Sequence, residues 1–200
     1  MGRLFIQETA IIIQGPIRVP FETLEREWEG FNIIWSTWVG EHINSVNPVI
    51  MGMPPKERGI MNLGLQVNST MSGLHYAKSL GYKYALKWRS DQVPNNTRQL
   101  MSLMDDSKMN VFYWCNCDGG YYTDYFMYGN IDDMISVWNI KNVNDYKFPE
   151  LAITEQLNNH PVNCIGDGIT ESNNVYWHKN GRQTKLSSYK STGNFEVRNK

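Results

Sequence analysis

The 200-residue chain is poor in cysteine, has almost no net charge and carries only short apolar runs, and each shortage removes a class of protein. Its three cysteines, Cys115, Cys117 and Cys164, are an odd number, and one C-x-C with a distant third matches no zinc spacing. They are expected as small buried residues in a reducing compartment. Lys+Arg 19 against Asp+Glu 20 gives a net charge of -1, so there is no basic excess to cover a phosphate backbone, and no nucleic-acid partner is expected. No apolar run approaches the roughly 20 residues of a transmembrane segment. The start lacks the basic-then-apolar order of an export signal, so the expected location is cytoplasmic. Internal repeats and low-complexity tracts are absent, which excludes a solenoid. There is no Walker loop, no G-x-G-x-x-G and no G-x-S-x-G elbow. His42, His75, His160 and His178 do not pair at ligand spacing, although His178, after a late strand, has the place of a single distal ligand.

What is abundant is aromatic side chains, with 7 Trp, 11 Tyr and 7 Phe. Thr9 to Gln14, T-A-I-I-I-Q, is a β-branched run without alternation, the pattern of a strand buried on both faces of a parallel sheet, and Gly15-Pro16 ends it. Phe21, Leu24 and Trp28 recur at helical spacing before Gly30. Asn32 to Ser36 and Pro48 to Met51 are two further short strands. The longest helix is expected from about Asn62 to Leu80, with Leu63, Val67, Met71 and Leu74 on one face and Asn62, Gln66, Ser69 and Thr70 on the other. Tyr82 to Trp88 is strand-like, a helix follows at 97 to 104, strands at 109 to 115 and 125 to 128, and helices from Ile131 to Trp138 and from Pro149 toward Asn158. Strands alternating with helices predict one α/β domain over residues 1–200, with a mainly parallel sheet. Its core spans about 8–160. Residues 161–200 form an extension with one strand, Asn174 to His178, and a polar tail from about Lys185.

In such a fold the ligand lies at the carboxyl ends of the strands. Three polar clusters follow directly on strands: Gln14-Gly15-Pro16, Ser36-Thr37 and Arg89-Ser90-Asp91. Gly15 permits close backbone approach, and the helix start at Asn62, with Gln66 one turn on, offers N–H groups and a positive dipole to a diphosphate. Asp91 is the candidate ligand for Mg²⁺ or Mn²⁺, since hard cations take carboxylate oxygens, and Arg89 the candidate for a phosphate or ribose. The same two residues also suit a simple ion pair. Asp124 ends an aromatic loop, Cys117 to Tyr125, and leads into Tyr125-Phe126-Met127-Tyr128, where partial burial favours a carboxylate that takes up a proton. Glu150, after Pro149, is the second candidate base, or merely a favourable first-turn charge.

The blocks A-I-I-I-Q-G-P-I at 10–17, I-I-W-S-T-W at 33–38, N-x-x-x-Q-x-x-S-T-x-x-G-L-x-x-A-K at 62–78 and Y-A-L-K-W-R-S-D at 84–91, followed by D-Y-F-M-Y-G at 124–129 and P-E at 149–150, resemble the WavE-type lipopolysaccharide-synthesis glycosyltransferases. Related domains also occur within longer polypeptides, some of large viruses, so a viral homologue fits the resemblance. It implies a GT-A-like, Rossmann-type domain with helices on both faces of a mixed sheet, moving a sugar from a nucleotide-sugar donor to a glycan or glycolipid acceptor by inverting displacement. Carried across by position, Gln14, Gly15 and Pro16 line the base and ribose pocket, Asn62 and Gln66 face the donor, and Arg89 and Asp91 stand where GT-A enzymes keep their metal-binding D-x-D; Thr37 is a donor-pocket candidate from its strand-end cluster alone. Here that motif is R-S-D, and a single carboxylate holds Mn²⁺ weakly while Arg89 supplies positive charge of its own. The rival readings are a sugar-nucleotide-forming nucleotidyltransferase and a non-catalytic glycan-binding module.

Overall fold

The computed structural model describes residues 6–94, 96–116 and 119–165, without the side chains of 113–116 and 119–120, and by backbone alone the strands at 175–179, 182–184 and 191–193. The elements in chain order are β1 (Thr9–Gln14), α1 (Phe21–Glu27), β2 (Asn32–Trp38), β3 (Val49–Gly52), α2 (Leu63–Ser79), β4 (Tyr84–Arg89), β5 (Gln92–Pro94), α3 (Thr97–Ser102), β6 (Met109–Asn116), β7 (Gly119–Asn130), α4 (Ile131–Trp138), α5 (Pro149–Leu157), β8 (Val162–Ile165), β9 (Val175–Lys179), β10 (Arg182–Thr184) and β11 (Ser191–Gly193). Eight strands form one sheet in the order β11-β8-β6-β7-β4-β1-β2-β3, and β10-β9-β5 form a second, smaller sheet. In the large sheet β1 runs parallel to both β2 and β4, β2 to β3 and β6 to β8, while β7 is antiparallel to β4 and β6.

Every residue of β1 is buried, as its unalternating pattern requires. Ala10 and Ile12 enter one core with residues of α2, α4 and α5, including Leu74, Met134 and Ile153. Ile11 and Ile13 enter the other with Leu24 of α1, Leu100 of α3 and the large rings of Trp35 and Trp88. Helices therefore cover both faces, and each fully buried branched side chain of β1 contributes roughly 1.5–3 kcal/mol. α2 lies unusually close to the sheet at Gly73, where a Cβ would stand 2.4 Å from Ile12 Cγ2. No helix among the described residues is long and apolar enough to cross a membrane.

The structure departs from the sequence expectation at two places near the strand ends. β2 continues through Trp38, so Ser36 and Thr37 lie inside a strand, not beyond it. The aromatic segment before Tyr125 is not a loop: β7 begins at Gly119 and forms a hairpin with β6, pairing Trp114 with Tyr121 and Tyr113 with Tyr122. The glycine pair that suggested a loop opens this strand, in backbone register with Cys115 and Asn116 of β6. Cys117 and Asp118 lie outside the described residues, as do the polar tail and the side chain of His178.

Candidate functional site

The strand order places β2 on one side of β1 and β4 on the other, so chain progression reverses between β1 and β4. In an open α/β sheet the ligand crevice forms at such a reversal. A cleft of about 450 Å³ lies there. It is bounded by Gln14, Gly15 and Pro16 from the end of β1, and by Arg89, Ser90 and Asp91 from the end of β4. Asn62 and Gln66 from the start of α2, together with Asp124 and Glu150, close the other walls.

The two strand ends are knitted by Ser90, whose N–H donates to the Gln14 carbonyl at 2.9 Å and whose hydroxyl donates to the Pro16 carbonyl at 2.6 Å. Gly15 turns with φ of 111°, and a Cβ there would lie 3.1 Å from Ser90 Oγ. The close approach that this glycine permits is thus to the neighbouring strand end. Gln14 is held by donation from Nε2 to Ser69 Oγ at 2.8 Å, while its Oε1 and that of Gln66 are buried without a hydrogen-bond partner. Two orphaned amide oxygens on residues lining the cleft leave acceptor capacity that a protein interior rarely wastes.

Thr37 does not reach the cleft. Alternation along β2 sends Ser36 toward α2, where its hydroxyl donates to the Ser69 carbonyl, and so turns Thr37 to the opposite face. The next residue, Trp38, lines the cleft instead. Arg18, Arg58 and Met61 are three further lining residues that the sequence reading passed over. Trp38 could have been found by carrying the period of two beyond Ser36. The arginines sit on connecting segments whose destination only the topology reveals.

The start of α2 is less open to an anion than its sequence suggests. Asn62 is exposed, in left-handed backbone with φ of 65°, and its side chain caps nothing. The Leu63 N–H donates to the Ile60 carbonyl, and the Gly64 N–H to the Arg58 carbonyl at 2.7 Å. Two N–H groups of the first turn are therefore already used.

Arg89 is the electrostatic centre. Its Nε and one terminal nitrogen donate to the two oxygens of Asp91 at 2.9 and 2.6 Å, and the other terminal nitrogen reaches Asp124 at 3.4 Å. β7 runs antiparallel to β4 with Phe126 opposite Trp88, which brings Asp124 just past the end of the ladder and beside Arg89. Asp124 is only 2% exposed. Burial disfavours the Arg89 cation, but the charges of Asp124 and Asp91 outweigh it and push its pKa above the ordinary value. Glu150 enters from the first turn of α5, which is fixed to β7 by the Tyr122 N–H donating to Thr154 Oγ1 at 2.9 Å. Burial, and then the nearby Asp124 charge, raises the Glu150 pKa against the opposing pull of Arg89 and Lys87. Beneath them Lys87 is fully buried; its Nζ donates to the Asp124 carbonyl and sits 4.8 Å from the centre of the Trp138 ring.

This donor set does not fit a resident divalent cation. Both oxygens of Asp91 accept from Arg89, and Asp124 contacts the same guanidinium. A cation at Asp91 would have to break two charge-assisted hydrogen bonds and then lie against a fixed positive group. Among the described residues no group of three or more His, Cys, Asp or Glu side chains is arranged to hold a metal.

No protein-family profile matches the chain, and no curated protein matches it at a significant level. Among solved structures, one from Desulfovibrio desulfuricans G20, provisionally described as a nucleotide-diphospho-sugar transferase, matches with a TM-score of 0.54 and 10% identity, over 78% of this chain and 78% of its own. The two proteins share a fold.

Proposed function

We propose that the chain is a glycosyltransferase that moves a sugar from a nucleotide-sugar donor to a hydroxyl of a glycan or glycolipid acceptor, by direct displacement with inversion. The observation that carries this reading is the cleft at the β1–β4 reversal, where Arg89, ion-paired with Asp91 and Asp124, shares the lining with a third, partly buried carboxylate, Glu150. The fold shared with the D. desulfuricans protein and the WavE-like motif blocks support the same reading. The acceptor oxygen attacks the anomeric carbon as the bond from that carbon to the diphosphate oxygen breaks, and the nucleoside diphosphate leaves with the bonding electrons. The acceptor's proton passes to a carboxylate. Asp124 and Glu150 are the two candidates, and Glu150 is favoured because it is less buried, is not held by Arg89 in an ion pair, and has a raised proton affinity suited to general-base work. Gln14 and Gln66 supply acceptors for the donor's hydroxyl or base N–H groups.

A screen of nucleotide sugars, reading release of nucleoside diphosphate with water or added glycans as acceptor, tests the proposal. Release from one donor is expected, and Glu150→Gln is expected to lower it about 10²–10⁴-fold while nucleotide binding persists. Unchanged turnover in that variant removes Glu150 as the base. No release from any donor, together with binding of a glycan, replaces the transferase by a binding module.

A further inference from the structure

The cleft holds three guanidinium groups, and they are not equivalent. Arg89 is committed to Asp91 and Asp124. Arg18 and Arg58 also line the cleft, both exposed, and among the described residues neither has a carboxylate within salt-bridge distance. Their side chains stand on anchored backbone. The Arg58 carbonyl is fixed by the Gly64 N–H, and the adjoining Gly59 packs so closely that a Cβ would lie 2.9 Å from the Val143 carbonyl oxygen. Arg18 lies between Ile17, whose N–H donates to Glu41 Oε2 at 3.2 Å, and Val19, which is 3% exposed. The two arginines thus converge on one cavity from the β1 end and the α2 end.

We propose that the donor's diphosphate is held by Arg18 and Arg58 with no divalent cation, Arg89 occupying through its ion pairs the place beside Asp91 that a metal would need. This inference rests on the nucleotide-sugar reading and specifies how that site carries its charge. Guanidinium groups match phosphate oxygens in pairs of parallel hydrogen bonds, and each such charge-assisted contact is expected to be strong. They offset the charge that builds on the leaving diphosphate without any ion being recruited from solution. The N–H groups of Leu63 and Gly64, already engaged within the chain, leave more of that task to the side chains.

Calorimetric titration of the full chain with UDP, GDP, dTDP and inorganic pyrophosphate, in EDTA and then with Mn²⁺, decides the matter. The expected result is binding of at least one nucleoside diphosphate in EDTA, with an affinity that Mn²⁺ changes by less than about threefold. Arg58→Gln and Arg18→Gln are each expected to weaken that binding by roughly 10-fold or more, with a shallower dependence on salt. Both side chains are exposed, so thermal unfolding of each variant should match the parent and separate lost binding from lost folding. Binding seen only with Mn²⁺ overturns this inference and spares the transferase reading. Unchanged affinity of both variants in EDTA overturns the role of these arginines. Absence of binding by every nucleotide, with and without metal, overturns both the inference and the reading beneath it.

Discussion

Replacing Lys87 with methionine should change how the fold responds to pH. The lysine has no solvent exposure, and burial pulls its pKa down from 10.5 to about 7 against the opposing attraction of Asp124. Arg89 pushes in the same direction as burial, and Asp91 and Glu150 oppose it. The interval between 10.5 and about 7 corresponds to roughly 5 kcal/mol of disfavour for the buried cation relative to the unfolded chain. Because the folded value lies below the unfolded one, the unfolded chain binds a proton that the folded chain does not throughout the window between them. Stability therefore rises with pH across that window, by about 1.4 kcal/mol per pH unit well inside it, and the penalty is complete at lower pH. Lys87→Met keeps the length and apolar stem of the side chain but has no proton to bind. Denaturant unfolding of parent and variant at pH 7 and pH 9 should show the parent gaining about 2 kcal/mol on the variant over that interval. Parallel pH profiles would refute the claim that this lysine is buried at the cost of its charge. A second readout comes from Glu150, whose proton affinity Lys87 lowers: in the variant, the acidic limb of the rate profile should move to higher pH.

Two further substitutions test the packing. Gly73→Ala should destabilise by about 1–3 kcal/mol in thermal or denaturant unfolding, since its Cβ would meet Ile12 Cγ2 at 2.4 Å and α2 would have to lift from β1; an unchanged midpoint would show that the contact relaxes freely. The ion pair between Lys78 and Asp132 links α2 to α4 with side chains 53% and 67% exposed. Asp132→Asn should therefore alter stability by no more than about 1 kcal/mol, and the small difference should vanish in high salt.

The alternating order and the covered sheet were legible in the sequence because burial on both faces leaves a mark: an unbroken Ala10-Ile11-Ile12-Ile13 cannot sit on an exposed strand. The meeting of the polar clusters at the ends of β1 and β4 in one cleft was legible for a related reason, since polar residues directly after a buried strand have few places to go except its carboxyl edge. Thr37 shows the limit of that reasoning. Expected just past a strand, it lies inside β2, which runs on to Trp38, so its face is set by alternation and Trp38 lines the cleft. Arg18 and Arg58 were illegible because a solvated arginine in a connection looks the same whether it faces a ligand or bulk water.

Lys87 was passed over for a different reason, and it ties the core to the chemistry. In Tyr84-Ala85-Leu86-Lys87-Trp88-Arg89 a lysine at a position alternating with Leu86 and Trp88 suggests a solvated face. Yet that face is covered by helices, and the ammonium group is left to the Asp124 carbonyl and the Trp138 ring. Its pKa is depressed while that of Glu150 is raised, so burial moves both groups toward neutrality from opposite sides. The Asp124 charge raises the proton affinity of Glu150, while Arg89 and, less strongly, Lys87 lower it. On this argument the buried lysine couples the apolar strand interior to the cleft: it is one of the charges acting on Glu150, the base in the proposed transfer.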